Sequence, residues 1–593
     1  MKSIIEQITL KMENAFEECG YEKRFGMVTV SNRPDLCEYQ CNGALAAAKQ
    51  YKKAPIEIAK EVLSKVENDK SFDMIEAVMP GFINIKVSAA FLADYLTQMN
   101  ADEKFGYVNP EAGQKIIVDY GGPNVAKPLH VGHLRTAIIG ESVKRILKFA
   151  GDECLGDTHL GDWGMPMGLI MASMKDSHPE LVYFDENYKG EYPTEPFFSV
   201  SELEEIYPAA SKRSKEDPEF KAEAGRITAA LQKYHPGYYA LWKMIVSVSV
   251  ADIKANYDNL GVYFELWKKE SDVNDIIPKM IEDFKARGIA HIDDGALVVD
   301  VKVDSDNKNM PPCMLVKTDG AVNYACTDLA TLIEREDLFK PDKVIYVVDK
   351  RQSLHFEQVF RTSRKAGIVR DETELIHIGY GTMNGPDGKP YKTRDGNLPK
   401  LKDLIGDITN AAYEKIRENR GIEEEEAGKT AKIVGIAALK YGDLSNQAYK
   451  DYVFDIDKFM SFEGNTGPYI LYTMVRIKSI LAKFTADGKS ADSCSLKEGD
   501  GKRVRDESEK NLMLSLSGFP EMMSQAVREF APHKICSFIY ELSNNFNSFY
   551  HEHKIMGEED EVKQREWIAL CRMTLSMLET NIDILGFEAP DRM

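Results

Sequence analysis

Gly121-Gly-Pro-Asn-Val-Ala-Lys-Pro-Leu-His-Val-Gly-His133 is the stretch on which the reading of this chain turns. The apolar run Lys115-Ile-Ile-Val-Asp-Tyr120 before it reads as a buried strand, and Leu134, Ile138, Ile139, Val143, Ile146 and Leu147 after it recur at helical spacing. His130 and His133 therefore sit where a strand gives way to a helix N-terminus. Such a terminus offers unpaired N–H groups and a positive dipole, which suit a polyphosphate. Two other readings exist. Histidines at i, i+3 suit zinc, but no Cys pair or Glu/His partner stands nearby at ligand spacing. A helix cap beside a packed imidazole is the other, with Gly132 only admitting close approach. The first strand–helix turn lacks a G-x-G-x-x-G run and there is no G-x-x-x-x-G-K-[ST] loop, which excludes the two commonest nucleotide signatures.

Outward from this point, short apolar strands alternate with helical patterns from about 109 to 404, among them Lys343-Val-Ile-Tyr-Val-Val348 and Leu375-Ile-His-Ile378. That alternation predicts an α/β domain on a parallel sheet. A charged, tyrosine-rich stretch, about 185–310, is expected to decorate the sheet as an insertion. Residues 1–108 form a small α+β domain: Ser3 and Glu6 fit a capping box, and Gly81-Phe-Ile-Asn-Ile-Lys86 reads as a strand. From 405 to 593 the pattern is helical, with a polar loop expected at about 484–510.

The chain has 593 residues, 43% hydrophobic and 29% charged, so several soluble domains are expected. No apolar run reaches the ~18 residues of a membrane span. Glu6, Glu13, Glu17 and Glu18 interrupt any signal or transit peptide, and nine scattered cysteines point to reduced thiols, hence a cytoplasmic location. The net charge of -20 opposes nucleic-acid binding at long range, so any RNA contact must use local basic faces.

His-x-Gly-His in this setting resembles the nucleotide signature of class I aminoacyl-tRNA synthetases. The longer string Pro123-Asn-Val-Ala-Lys-Pro-Leu-His-Val-Gly-His-Leu-Arg135 resembles the arginyl-tRNA synthetase family, and the likeness runs from about Tyr39-Gln-Cys-Asn42 to Ala589-Pro-Asp-Arg-Met593. The resemblance implies a Rossmann-like catalytic domain between an N-terminal tRNA-recognition domain and a helical anticodon-binding domain. It also implies ATP with Mg²⁺, L-arginine and tRNA-Arg as partners, no structural metal, and a monomer. Arginine's carboxylate would attack the α-phosphate of ATP, and the terminal adenosine of tRNA would then take the arginyl group. The carboxylate is already a nucleophile, so catalysis is positioning and charge stabilisation.

On that resemblance His130 and His133 face the phosphates, with Gly132 between them; His133 also contacts the arginine, and Lys127 substitutes for the second lysine of the usual Lys-Met-Ser-Lys-Ser loop. The corresponding loop here, Gly379 to Gly396, carries Lys389, Lys392 and Arg394. Tyr324 and Asp328 match the family's arginine-pocket pair. At i, i+4 they share a helix face, and a carboxylate is what a planar guanidinium pairs with best. The plain alternative is that Asp328 caps a helix, Leu329–Glu336. Asn124 and Gln352 match residues holding the amino-acid end, and Asp119 stands where some members have Glu. Phe462-Glu-Gly-Asn-Thr-Gly-Pro-Tyr-Ile-Leu-Tyr-Thr-Met-Val-Arg476 resembles the tRNA-contacting segment, with Asn465, Tyr469, Tyr472 and Arg476 as candidates. Tyrosines at i, i+3 also suit a helix core. Phe82 and Asn84 match positions that read a D-loop base; a buried Phe on an alternating strand is the simpler account. Pro166 and Leu471 depart from a frequent Gln at each position.

Three rivals are weaker. A cysteinyl enzyme would need zinc-ligand cysteines near the site. A small nucleotidylyltransferase has no use for the flanking domains, and a non-catalytic RNA-binding protein has no use for His130, His133, Tyr324 and Asp328 together.

Overall fold

The computed structural model describes the chain except residues 307–309, 319, 392–398, 419–422 and 499–502. It divides into two compact units, one of Met1–Pro110, Ser461–Asp583 and Glu588–Met593, the other of Glu111–Met460 and Ile584–Phe587.

The first unit opens with the helix Ile4–Glu18. Ser3 Oγ accepts from the Glu6 amide at 3.2 Å while the Glu6 carboxylate accepts from the Ser3 amide at 2.6 Å, so the capping box forms at both ends. Strands β1 (Val28–Val30), β2 (Tyr39–Cys41), β3 (Phe72–Val78) and β4 (Phe82–Val87) make an antiparallel sheet in the order β1-β2-β4-β3. Ile83, Ile85 and Val87 are fully buried on one face of β4. The C-terminal helices of this unit include Gly467–Ala486, Glu507–Ser517, Phe519–Glu529 and Pro532–Glu552. Phe105 meets Phe519 edge-on at 5.3 Å, and Lys510 pairs with Glu38 at 2.8 Å. The N-terminal residues and the helical segment, expected as separate domains, therefore share one unit.

The second unit is built on β5 (Lys115–Asp119), β6 (Glu153–Leu160) and β7 (Leu266–Lys269). A small antiparallel sheet follows, of β8 (His291–Asp293), β9 (Ala296–Val299) and β10 (Cys313–Val316), and then β11 (Lys343–Asp349) and β12 (Glu374–Tyr380). The main sheet is parallel throughout, in the order β12-β11-β5-β6-β7. Helix Leu134–Ala150 links β5 to β6. The chain runs outward from β5 through β6 and β7, then returns to build β11 and β12 on the other side. The gap between β5 and β11 is thus a topological switch point, where open α/β sheets bind ligands at strand carboxyl ends.

Two boundaries differ from the sequence-based expectation. Strand β7 lies inside the 185–310 stretch expected to decorate the sheet, yet it is a strand of the sheet itself. Its sequence, Leu-Trp-Lys-Lys, has no apolar run to announce it, because an edge strand keeps one side half-exposed. The helices Leu401–Arg417 and Glu424–Leu444 belong to this unit and not to a helical domain beginning at 405. The first is tied in by its Leu401 amide, which donates to the Leu129 carbonyl at 2.8 Å, and the second by Arg135, a buried residue two positions past His133. Its Nε donates to Asp443 Oδ2 at 2.9 Å and its Nη1 to the carbonyls of Gly381 and Lys450 at 2.7 and 3.1 Å.

Candidate active site

The loop leaving β5 is held against the end of β6. The Val125 amide donates to the Gly161 carbonyl at 2.8 Å, and the Gly161 amide to the Pro123 carbonyl at 3.1 Å. Gly121 turns the chain with φ +67°, and its amide donates to Thr136 Oγ1 at 2.9 Å. A single turn of 3₁₀ helix, Val131–His133, leads into the helix Leu134–Ala150. His130 Nδ1 accepts from the Gly132 amide at 3.0 Å, and His133 Nδ1 accepts from the His130 amide at 3.1 Å. A neutral imidazole that accepts at Nδ1 carries its proton on Nε2. Both rings, 4.0 Å apart between centroids, therefore present an N–H donor. Burial, with His130 adding like charge, lowers the His133 pKa to about 3; burial and Lys127 lower that of His130. A Cβ at position 132 would come within 2.7 Å of the His130 ring, so only glycine fits between the two.

His133 borders a cavity of about 500 Å³ at the switch point. Asp119, Tyr324, Asp328 and Gln352 also line it, so five of the sequence-derived residues meet there. Tyr324 opens the helix Tyr324–Leu338 and is capped by Asn323. Asp328 lies inside that helix, which removes the capping alternative. Its Oδ2 is 2.6 Å from His355 Nε2. His159, Glu270, Thr331, Tyr346 and Tyr380 complete much of the wall. Burial, with Asp162 as a neighbouring negative charge, pushes the Glu270 pKa up to about 7. Three carboxyl groups among aromatic rings make a pocket for a long cation with a planar head.

Other expected residues fall off this wall. Asn124 bridges to Gly161 at the cavity's approach. Lys127 places its ammonium 4.5 Å from the Tyr207 ring centroid, facing the helix Val200–Glu216. Lys389 is exposed in a turn where its amide donates to Asp387 at 3.0 Å. Lys392 and Arg394 lie outside the described residues. Pro166 occupies the first turn of the helix Met165–Ser177, where no amide donor is needed. Leu471 is fully buried.

Sequence comparison places this geometry among known proteins. The family described as tRNA synthetases class I (R), catalytic domain, matches residues 96–456; the DALR anticodon binding domain matches 470–593, and the arginyl tRNA synthetase N terminal domain 2–87. The arginine–tRNA ligase of Agathobacter rectalis is 56% identical over 600 residues, covering 100% of both chains. That of Alkaliphilus oremlandii is 52% identical, again over 100% of both. The chain belongs to the arginyl-tRNA synthetase family. Its activity is that of an arginine–tRNA ligase, a class I aminoacyl-tRNA synthetase. The crystal structure of arginyl-tRNA synthetase from Plasmodium falciparum superposes with a TM-score of 0.79 at 26% identity over 100% of both chains.

In this arginyl-tRNA synthetase fold the second group of candidates lies in the other unit. Thr466, directly after Asn465, caps the helix Gly467–Ala486 by accepting from the Tyr469 amide. Tyr472 is 43% exposed, which excludes the core reading for it. The Arg476 guanidinium lies 4.9 Å from both the Tyr472 and Tyr550 rings. Tyr469 is half-buried, its hydroxyl donating to Asn544 Oδ1 at 2.6 Å and accepting from Asn547 at 3.0 Å. On β4, Phe82 and Asn84 lie on the face opposite Ile83 and Ile85, and Asn84 Oδ1 accepts from Gln40 at 2.9 Å.

Sequence reasoning missed His159, Glu270, Tyr346 and His355 on the cavity wall. His355 follows Gln352 by one helical turn, a spacing that brings both to one face. Glu270 had no signal: it follows the edge strand β7, which itself went unread.

Proposed function

We propose that the 500 Å³ cavity is the arginine site and that His130 and His133 donate to the ATP phosphates beside it. The observation that carries this reading is the meeting of Asp328, Tyr324 and Gln352 with His133 at one cavity. Asp328 and Glu270 would receive the guanidinium, the aromatic rings its apolar stem, and Asp119, Asn124 and Gln352 the α-amino and carboxyl end. Activation then joins the arginine carboxylate to the α-phosphate, and pyrophosphate leaves with the electron pair of the broken phosphoanhydride bond. Charge builds on phosphate oxygens during this step, and two neutral Nε2–H donors stabilise it without reorganising. Lys127, Lys389, Lys392 and Arg394 would add positive charge.

Mg²⁺ enters with ATP, whose phosphates commonly hold it together with water. Among the described residues no group of three or more His, Cys, Asp or Glu side chains gathers into a metal site. In the second step the 2′-hydroxyl of the terminal adenosine would take the arginyl group from the adenylate, breaking the acyl–phosphate bond and releasing AMP. Tyr469, Tyr472, Arg476 and Asn465, with Phe82 and Asn84, would contact tRNA-Arg; all six belong to one compact unit. Nine free cysteines favour a cytoplasmic setting. All the residues proposed to hold arginine come from one chain, which favours a monomer as the working form. The test is ATP–pyrophosphate exchange with each amino acid, with and without tRNA. Arginine alone should support it, and only with tRNA present; equal exchange with another amino acid overturns the reading.

A further inference from the structure

Beneath the cavity, three neighbouring strands place Tyr346, Asp119 and Asp157 side by side. Tyr346 on β11 pairs in register with Asp119 on β5, and Asp119 with Asp157 on β6. Arg335, from the helix that carries Tyr324 and Asp328, lies across this row and is 1% exposed. Its Nη2 donates to Asp119 Oδ2 at 2.5 Å and to Asp157 Oδ2 at 2.6 Å, and its Nη1 donates to the Tyr346 hydroxyl at 3.1 Å. Arg335 follows Asp328 by two helical turns, so both project from one side of the helix.

This arrangement is not what stability alone would select. One guanidinium faces two carboxylates, and a buried ion network of unequal charge is seldom better than apolar packing. Arg335 Nε and Asp157 Oδ1 are buried without a partner among the described residues. Polar groups left unpaired in a core mark places where function sets the arrangement. Burial works against the charged form of all three groups. The carboxylates nonetheless hold Arg335 well above the usual guanidinium value, while burial keeps both carboxyls above theirs. Of the charged groups Arg335, Asp119 and Asp157, Asp119 alone lines the cavity. Its Oδ2 is occupied by Arg335, and its Oδ1 takes no hydrogen bond among the described residues.

We propose that Arg335 is a positioning residue for the amino-acid substrate: it fixes the Asp119 carboxylate with one oxygen turned into the cavity and offsets one of the two negative charges beneath the site. This rests on the reading of the cavity as the arginine site. Lysine cannot replace the fork, because one ammonium does not span both carboxylates with the same planar geometry.

The experiment compares Asp119→Asn, Arg335→Lys, Asp157→Asn and the double variant Arg335→Met with Asp157→Asn. The double variant keeps the net charge of the row while removing the group that orients Asp119. Melting temperature is read first, then KM for arginine and for ATP in tRNA-dependent pyrophosphate exchange. Folded Arg335→Lys and the double variant should raise the arginine KM about 10- to 100-fold, as expected for a lost charged hydrogen bond, while leaving the ATP KM within about twofold. An unchanged arginine KM in folded Arg335→Lys overturns the proposal and leaves Arg335 as a fold-stabilising residue. Equal rises in both KM values overturn it too. If the double variant does not fold, Arg335→Lys alone decides. Asp119→Asn separates the two layers: an unchanged arginine KM there removes the underlying site reading, whereas a raised KM with normal Arg335 variants removes only this inference.

Discussion

Asp328 Oδ2 lies 2.6 Å from His355 Nε2, and the Tyr324 and His355 rings are 4.5 Å apart between centroids. An ionised carboxylate only accepts, so the imidazole donates and fixes one oxygen of Asp328 while the side chain still faces the cavity. On the proposed reading the two helices meeting there, Tyr324–Leu338 and Ser353–Ala366, hold that carboxylate ready to accept a guanidinium. Asp328→Asn should therefore raise the arginine KM by a factor matching about 2–5 kcal/mol, the usual cost of stripping a charged partner from a desolvated cation. ATP KM should hold. Because Asp328 is not a cap, the loss of about 1 kcal/mol expected from a capping residue should be missing from the melting curve. A normal arginine KM would falsify the pocket assignment.

Glu270 gives arginine binding a pH dependence of definite sign. Its folded pKa is raised to about 7 by burial and by Asp162, against about 4.3 for an unperturbed glutamate. A raised carboxyl pKa contributes stability that is complete below the unfolded value and is lost as pH rises through about 7. A bound guanidinium favours the ionised form and opposes that rise. Arginine affinity should thus increase from about pH 6 to about pH 8, with proton release on binding, and Glu270→Gln should flatten the slope. Calorimetry in buffers of different ionisation enthalpy reads the proton directly. A wild-type slope that survives unchanged in Glu270→Gln would assign it to another group.

For His133 the sign runs the other way. Its folded pKa of about 3 lies below the ordinary histidine range, so its contribution to stability is complete above about 6.5 and is lost as pH falls towards 3. Within the physiological range it is a neutral donor. His133→Ala should slow adenylate formation by about 10²–10³ while sparing tRNA affinity, the usual loss for one donor at a charge-developing oxygen. His133→Asn keeps a donor, should retain more activity than alanine, and should resist acid unfolding better than the parent. Single-turnover activation at neutral pH, paired with melting curves from about pH 4 to 8, tests both parts. Near-normal activation in His133→Ala would return this ring to a packing role.

The parts of the fold that were legible in the sequence are those whose local signal and tertiary role agree. Strand β5, the glycine between two histidines and the helix after it were readable because burial on both faces demands an apolar run and the turn demands its glycine. The capping box at Ser3 was readable for the same reason. Strand β7 was not, since an edge strand with two lysines carries no period to detect. The boundary near 405 failed because helical periodicity reports a buried face and not the partner that buries it; Arg135 and Asp443, 308 positions apart, tie the helix Glu424–Leu444 to the catalytic unit. Part of the cavity wall was legible through Tyr324 and Asp328. Glu270 and Arg335 were invisible, because their neighbours are brought together by strand order across the sheet, which spacing along the chain does not encode.

Tyr469 and Tyr472, one helical turn apart, separate recognition from structure in the last test. Tyr472 is 43% exposed beneath the Arg476 guanidinium, so it offers a face on which an unpaired base can stack beside a cation. Tyr469 instead spends its hydroxyl on Asn544 and Asn547, and Asn547 also donates to Thr473 at 3.0 Å. Tyr472→Ala should therefore weaken tRNA binding by about 1–3 kcal/mol, the value of a lost stack. Arginine and ATP KM values should stay unchanged, and stability should move by no more than about 0.5 kcal/mol, as for an ordinary surface site. Tyr469→Phe should do the reverse, costing about 1–3 kcal/mol of stability because Asn547, a buried amide, loses its hydroxyl partner. Its effect on tRNA should then track unfolding and vanish at low temperature. Filter binding and thermal melting on both variants decide the matter. A folded Tyr472→Ala with wild-type tRNA affinity would take that ring off the recognition surface, and a Tyr469→Phe that loses tRNA affinity without losing stability would put the other ring on it.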